Sequence, residues 1–218
     1  VYKLTGCNLP LVNFQKARID YLYDISNSPR LKANAIKVIP FINHYDIKNL
    51  ILQQEIFGFF KKSPKLLYMD SYSELTDQRF LKKMHKWSFC ANFSDISYTS
   101  TFKSEYESLG LLDVNNLLES YRNFFNLFRI NYGPVPIIFI HFPVKLDNRE
   151  KFKFRYIQIK KAIDILKNEF SPFYSLDVEE DIVDWPNESS IENKNFPYHY
   201  NQETYQYLSD LLRKIDIF

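Results

Sequence analysis

Val135-Pro136-Ile137-Ile138-Phe139-Ile140, followed at once by His141, is the longest apolar run in the chain and decides the reading of the fold. Its length suits a strand, and an unbroken apolar run marks a strand covered on both faces, as in a parallel sheet. The flanking sequence agrees. Before the run, Val114, Leu117, Leu118, Tyr121, Phe124, Phe125 and Phe128 recur at helical spacing behind Asp113, a capping residue. After it, Phe152, Tyr156, Ile159, Ile163 and Leu166 repeat the pattern, with Lys and Arg on the other faces.

Short apolar runs at residues 1–4, 35–41, 66–69 and 173–178 read as further strands. Asn8-Leu9-Pro10 reads as a cap and an early helical proline, opening a helix through Leu11, Phe14 and Leu22. Ile47, Leu50 and Ile51 behind Asp46 suggest another helix, and Leu208, Leu211, Leu212 and Ile215 a last one. This alternation predicts an α/β fold, a three-layer α/β/α sandwich around a mainly parallel, doubly wound sheet of about five strands. The repeats are too few for a (β/α)8 barrel. Residues 1–218 read as one domain, with the less regular stretch 72–110 as an insertion or cap and the polar stretch 187–194 as a surface loop. The chain begins without Met and in an expected strand, so it is expected to be cut from a longer protein.

Composition removes several function classes. The formal net charge is only +2, so bulk charge drives binding to neither polyanions nor polycations. The local basic cluster of Lys145, Arg149, Lys151, Lys153, Arg155, Lys160 and Lys161 has helical spacing that suits a solvated face, and no nucleic-acid partner is expected. With glycines only at 6, 58, 110 and 133, neither a dinucleotide fingerprint nor a P-loop can be written. His44, His85, His141 and His199 are far apart and make no metal-ligand pair, so no metal site is expected. No apolar run approaches the ~20 residues that cross a bilayer. Two cysteines, Cys7 and Cys90, make no disulfide framework and suggest a reduced, cytoplasmic setting.

In an open parallel sheet, ligands bind beyond the carboxyl ends of the strands. The residues there are Gly6-Cys7-Asn8, then Asn43, His44 and Asp46, then Asp70 and Ser71, then His141, and finally Asp177 and the acidic stretch to Asp184. Cys7 occupies a strand-to-helix turn, where helix N-terminal amides would favour a thiolate and donate to an oxyanion. The alternative is a small residue packed at a tight turn. His199, just before the last helix, reads as a base or as an exposed or tyrosine-stacked histidine. His141 reads as a pocket residue or a satisfied core histidine. Asp184, Asp181 and Asp177 read as carboxylates that orient a histidine, against the alternative that Glu179-Glu180-Asp181 is a solvated acidic face. Ser71 is a rival nucleophile. Cys90, among Trp87, Ser88 and Phe89, reads as core.

Thr5-Gly6-Cys7-Asn8 resembles the nucleophile turn of the SGNH (GDSL-like) hydrolase superfamily, and more narrowly that of GSCFA-type domains associated with bacterial surface-polysaccharide biosynthesis. Tyr198-His199-Tyr200-Asn201, with Thr204, Tyr205 and Leu208, resembles the segment and terminal helix that carry the superfamily's histidine. Residues 136–143 with Lys145, Asn148 and Arg149 resemble its central strand and following loop. The resemblance implies an α/β/α fold and acyl-ester chemistry, hydrolysis or transfer, on a carbohydrate. It maps the nucleophile to Cys7 and the base to His199. Phe196 stands where the family has its Asp, which leaves Asp184 for that role. The family's oxyanion Gly and Asn are not evident, so Gly6, Asn8 and His141, with Asp70 and Ser71, are the candidates for oxyanion or substrate contacts. A capsule acetyltransferase group with a Gly-Asn-Cys turn suggests acyl-CoA as co-substrate; no other cofactor is required. A neighbouring domain or a polysaccharide-synthesis enzyme is the partner implied beside the glycan. The alternative function is a non-catalytic carbohydrate-binding or assembly domain of a polysaccharide-synthesis protein.

Overall fold

The computed structural model describes residues 14–58, 64–186 and 199–215. In chain order they form helices α1 (Ile19–Asn27), α2 (Ala35–Val38) and α3 (Tyr45–Ile56), strand β1 (Leu67–Asp70) and helix α4 (Tyr72–Thr76). Strands β2 (Asp77–Lys82) and β3 (Ser88–Asn92), helix α5 (Ser100–Glu105) and strand β4 (Tyr106–Ser108) follow. The long helix α6 (Leu117–Tyr132) then precedes β5 (Ile137–Ile140). Helix α7 (Glu150–Glu169), strand β6 (Phe173–Leu176) and helix α8 (Gln202–Arg213) complete the described chain. The fold is mixed α/β, with a three-stranded parallel sheet in the order β1-β5-β6 and a three-stranded antiparallel sheet in the order β3-β2-β4. These residues fall into two compact units. One holds 65–71, 134–186 and 199–215; the other holds 14–58, 64 and 72–133.

In the first unit β5 is the middle strand and is buried at every position. Ile138 and Ile140 pack with Leu212 and Ile215 at the end of α8, joined by Tyr68, Tyr174 and Leu208. Side chains alternate across a strand, so Phe139 and His141 face the other way. There the His141 ring meets Tyr156 of α7 edge-on, at 6.1 Å between centroids. Helices thus cover both faces of the sheet, which is why β5 carries no polar residue. Helix α7 buries Ile159, Ile163 and Leu166 of the predicted stripe, with Ala162, while Phe152 and Tyr156 are half-buried and Arg155, expected on a solvated face, is buried. Helix α8 is capped by Asn201, whose side-chain oxygen accepts from the Thr204 N–H at 2.8 Å.

The second unit is built on aromatic packing. Phe80, Phe89, Phe102 and Tyr106 cluster with Val38 and Ile51, and the Phe102 and Tyr106 rings stack at 4.8 Å. Helix α1 packs against α6. Between them the buried Glu74 carboxylate accepts from the Ile19 N–H at 2.7 Å and the Tyr121 hydroxyl at 3.0 Å. Helix α6 stops at Gly133, whose φ of 72° closes the turn onto Arg129 O at 2.8 Å, a conformation that costs glycine least.

Two expectations are corrected. Residues 35–41 are not a strand; they form α2 and a 3-10 turn, Ile39–Phe41. Asn34 caps this segment by accepting from the Lys37 N–H at 3.3 Å, and Pro40 has no N–H to give to a sheet. The region 72–110, expected to be less regular, carries α4, α5 and the strands β2, β3 and β4. The charge on β2 had hidden it: Arg79 donates to Asp24 at 2.6 Å and to the Ser88 hydroxyl at 2.9 Å. The strand expected at 1–4 and the start of the helix expected from Asn8 lie outside the described residues. Phe14 precedes α1, which begins only at Ile19 and includes Leu22.

Candidate functional site

Strands β1, β5 and β6 are mutually parallel and in register, so Asp70 and Ser71, His141, and Asp177 leave the sheet along one edge. Here a cleft of about 60 Å³ opens between the strand ends and the first turns of α8. Its walls include Tyr68, Asp70, Phe142, Tyr200, Thr204 and Tyr205. The Tyr200 hydroxyl donates to Pro143 O at 2.6 Å, and its ring meets Phe142 at 5.6 Å and Tyr205 at 5.9 Å. The Thr204 hydroxyl is held by Ile182 O at 2.9 Å and Asn201 Oδ1 at 2.6 Å. Burial, with the charge of Asp70 beside it, raises the Tyr68 phenol well above its ordinary value, so Tyr68 keeps its proton. Asp70 itself is exposed. The cleft therefore offers aromatic surface, a phenol and a carboxylate at one place. A larger hollow of about 450 Å³, bounded by Ile182, Gln206 and Asp210 among others, is shallow and carries only surface side chains of α8 and its neighbour.

The other candidates sit differently. Ser71 is fully buried, and its hydroxyl accepts from the Phe142 N–H at 2.8 Å, tying the exits of β1 and β5 together. His141 is 1% exposed and does not line the cleft; its Nε2 lies 2.8 Å from the Ser175 hydroxyl, while Nδ1 has no hydrogen-bond partner. Burial lowers its pKa to about 4, against the pull of Asp177, so the ring is neutral at neutral pH. The Asp177 carboxylate accepts from the Tyr156 hydroxyl at 2.6 Å and binds Lys160 Nζ. Asp184 is exposed, and one carboxylate oxygen accepts from the Trp185 N–H at 2.7 Å. His199 is exposed. The Asn201 N–H donates to Asp184 O at 2.9 Å, which brings the backbones bearing Asp184 and His199 alongside one another. Gly6, Cys7 and Asn8 lie outside the described residues. His44 and Asp46 belong to the second unit, at the start of α3. Cys90 is fully buried, and burial pushes its thiol up to about 12.

The sequence reading did not single out Tyr68 or the cleft-facing role of Tyr205. Tyr68 shares a strand face with Asp70 two residues on, a period-two signal that was available. Among the described residues no group of three His, Cys, Asp or Glu side chains is placed to hold a metal ion, and no helix is long and apolar enough to cross a membrane. Comparison with protein-family models, curated proteins and solved structures returns no match.

Proposed function

We propose that the chain is an SGNH-like acyltransferase or esterase acting on a carbohydrate of a bacterial surface polysaccharide. On this reading β1, β5 and β6 belong to a doubly wound α/β/α sandwich of about five strands, with residues 1–4 as the strand that delivers the nucleophile turn. Cys7 attacks the acyl carbon, His199 takes the thiol proton and returns it to the leaving group or acceptor, and Asp184 orients His199. Amides at Gly6 and Asn8 hold the oxyanion. The observation that supports the reading is the cleft at the carboxyl edge, which opens against the residues starting α8, immediately after His199. Its aromatic walls suit a sugar ring, and Asp70 suits the hydroxyls. Acyl-CoA supplies the acyl group if the reaction is transfer, and the setting is the cytoplasm beside other polysaccharide-synthesis enzymes.

The test is turnover of acetyl-CoA with glycan acceptors and of a chromogenic acetyl ester by the wild type, Cys7→Ala and His199→Ala. Activity in the wild type alone is expected; equal activity in folded Cys7→Ala contradicts the assignment. A non-catalytic carbohydrate-binding domain is the second reading. It is favoured by the engagement of Ser71 and His141 in internal hydrogen bonds, which leaves the described cleft without a nucleophile. It predicts glycan binding unchanged in Cys7→Ala and lost in Asp70→Ala.

A further inference from the structure

The second unit buries a lysine between two aspartates. Lys16 Nζ lies 2.9 Å from Asp95 Oδ2 and 3.5 Å from Asp77 Oδ1, with all three side chains 10% exposed or less. Asp77 is the unusual member. Its side chain is wholly buried and its Oδ2 has no hydrogen-bond partner, so this carboxylate is poorly solvated as an anion. Burial raises its pKa to about 6 in spite of Lys16, with Ser73 and the Thr76 hydroxyl as its other polar neighbours. Lys16 carries a second anomaly, a φ of 51° that L-residues seldom adopt and that persists only where surroundings enforce it. The enforcing contact is Gln54, which donates to Lys16 O at 2.8 Å and is itself pinned to Cys90 N and O. Asp77 is paired with Asn92 across β2 and β3, and the Asn92 N–H donates to Asp95 Oδ2 at 3.1 Å. An ammonium, which in spite of burial the two aspartates hold above its ordinary pKa, a carboxyl and a second carboxylate are therefore held in contact by separate backbone anchors, largely out of water.

We propose that Lys16 and Asp77 condense into an intramolecular amide that cross-links the segment before α1 to the start of β2. Asp95 accepts a proton from the Lys16 ammonium, and the freed amine lone pair attacks Asp77 Cγ. The new C–N bond forms as one Cγ–O bond breaks; the departing oxygen takes the proton held by Asp95 and a second proton lost by the attacking nitrogen, relayed by the same carboxylate, and leaves as water. An ammonium and a carboxylate thus become one amide and one water, Asp95 is regenerated, and neither oxidant nor cofactor is consumed. Fixed contact between the reactants replaces the activation that a free amine and carboxylic acid would need.

Intact mass of the whole chain under denaturing conditions reads the reaction directly. The wild type is expected to be one water lighter than its sequence mass, with a protease-resistant linkage joining the peptides of Lys16 and Asp77. Lys16→Arg, which keeps the charge but has no nucleophilic amine, and Asp95→Asn, which removes the proton carrier, are expected to fold, as judged by circular dichroism, and to show the full mass. A wild type at full sequence mass after prolonged incubation in the folded state overturns the proposal. So does a lost water that persists in Lys16→Arg, which would place the dehydration elsewhere.

Discussion

Acidification is expected to loosen the parallel sheet through His141. The ring is 1% exposed at the carboxyl end of β5, and burial lowers its pKa from 6.5 to about 4. Between those values the unfolded chain binds a proton that the folded one refuses, so stability is complete above pH 6.5 and falls as the pH drops towards 4. Integrating that difference gives a loss of about 2 kcal/mol by pH ~5 and about 3 kcal/mol by pH ~4. Nearby charges are already included in the sign: Asp177 attracts the proton and Lys160 repels it, while desolvation outweighs both. The assay is native-state hydrogen exchange at the amides of Ile138, Ile140 and His141, which reads this strand independently of the other unit. His141→Gln keeps a polar partner for Ser175 but cannot titrate, so its protection should be nearly flat over the same range. Equal protection in the wild type at pH ~7 and pH ~5, or an equal loss in His141→Gln, would refute the reasoning.

Three further outcomes follow from single contacts. Asn201→Ala removes the cap of α8 and should cost about 1 kcal/mol, read as a lowered urea midpoint, with faster exchange in the first turn of the helix. Ser71→Ala strips the acceptor from the Phe142 N–H and should cost about 1 kcal/mol of stability while leaving acyl chemistry in place; abolished turnover in the folded variant would instead make Ser71 the nucleophile. Cys90, buried with its thiol pushed up to about 12, should resist iodoacetamide until the chain is unfolded, as a peptide map would show.

The strands and helices that were legible share one property: their burial is simple. Strand β5 is covered on both faces and reads as a plain apolar run, while α6 and α7 bury one stripe each and read as periodic. Residues 35–41 failed because a short apolar run does not separate a strand from a helical turn; the Asn34 cap and Pro40 carried the deciding information. Strand β2 failed because Asp77, Arg79 and Lys82 look solvated in sequence and are in fact paired within the fold, a distinction that only long-range contacts make. At the site, the carboxyl-edge rule found Asp70, yet it also picked His141 and Ser71, whose polar atoms the fold turns inward. The tyrosines of the cleft were hidden by numbers: with 16 in the chain, spacing does not tell a ring that lines a cleft from one that fills a core.

A Cys7 nucleophile is tested most directly by intact mass of the wild type, Cys7→Ala and His199→Ala shortly after mixing with acetyl-CoA or an activated acetyl ester. An acetyl adduct on the wild type, mapped to Cys7, absent from Cys7→Ala and formed far more slowly in His199→Ala, is the predicted result. A wild type that turns over acetyl ester while Cys7 stays unmodified, with Cys7→Ala equally active, would contradict it.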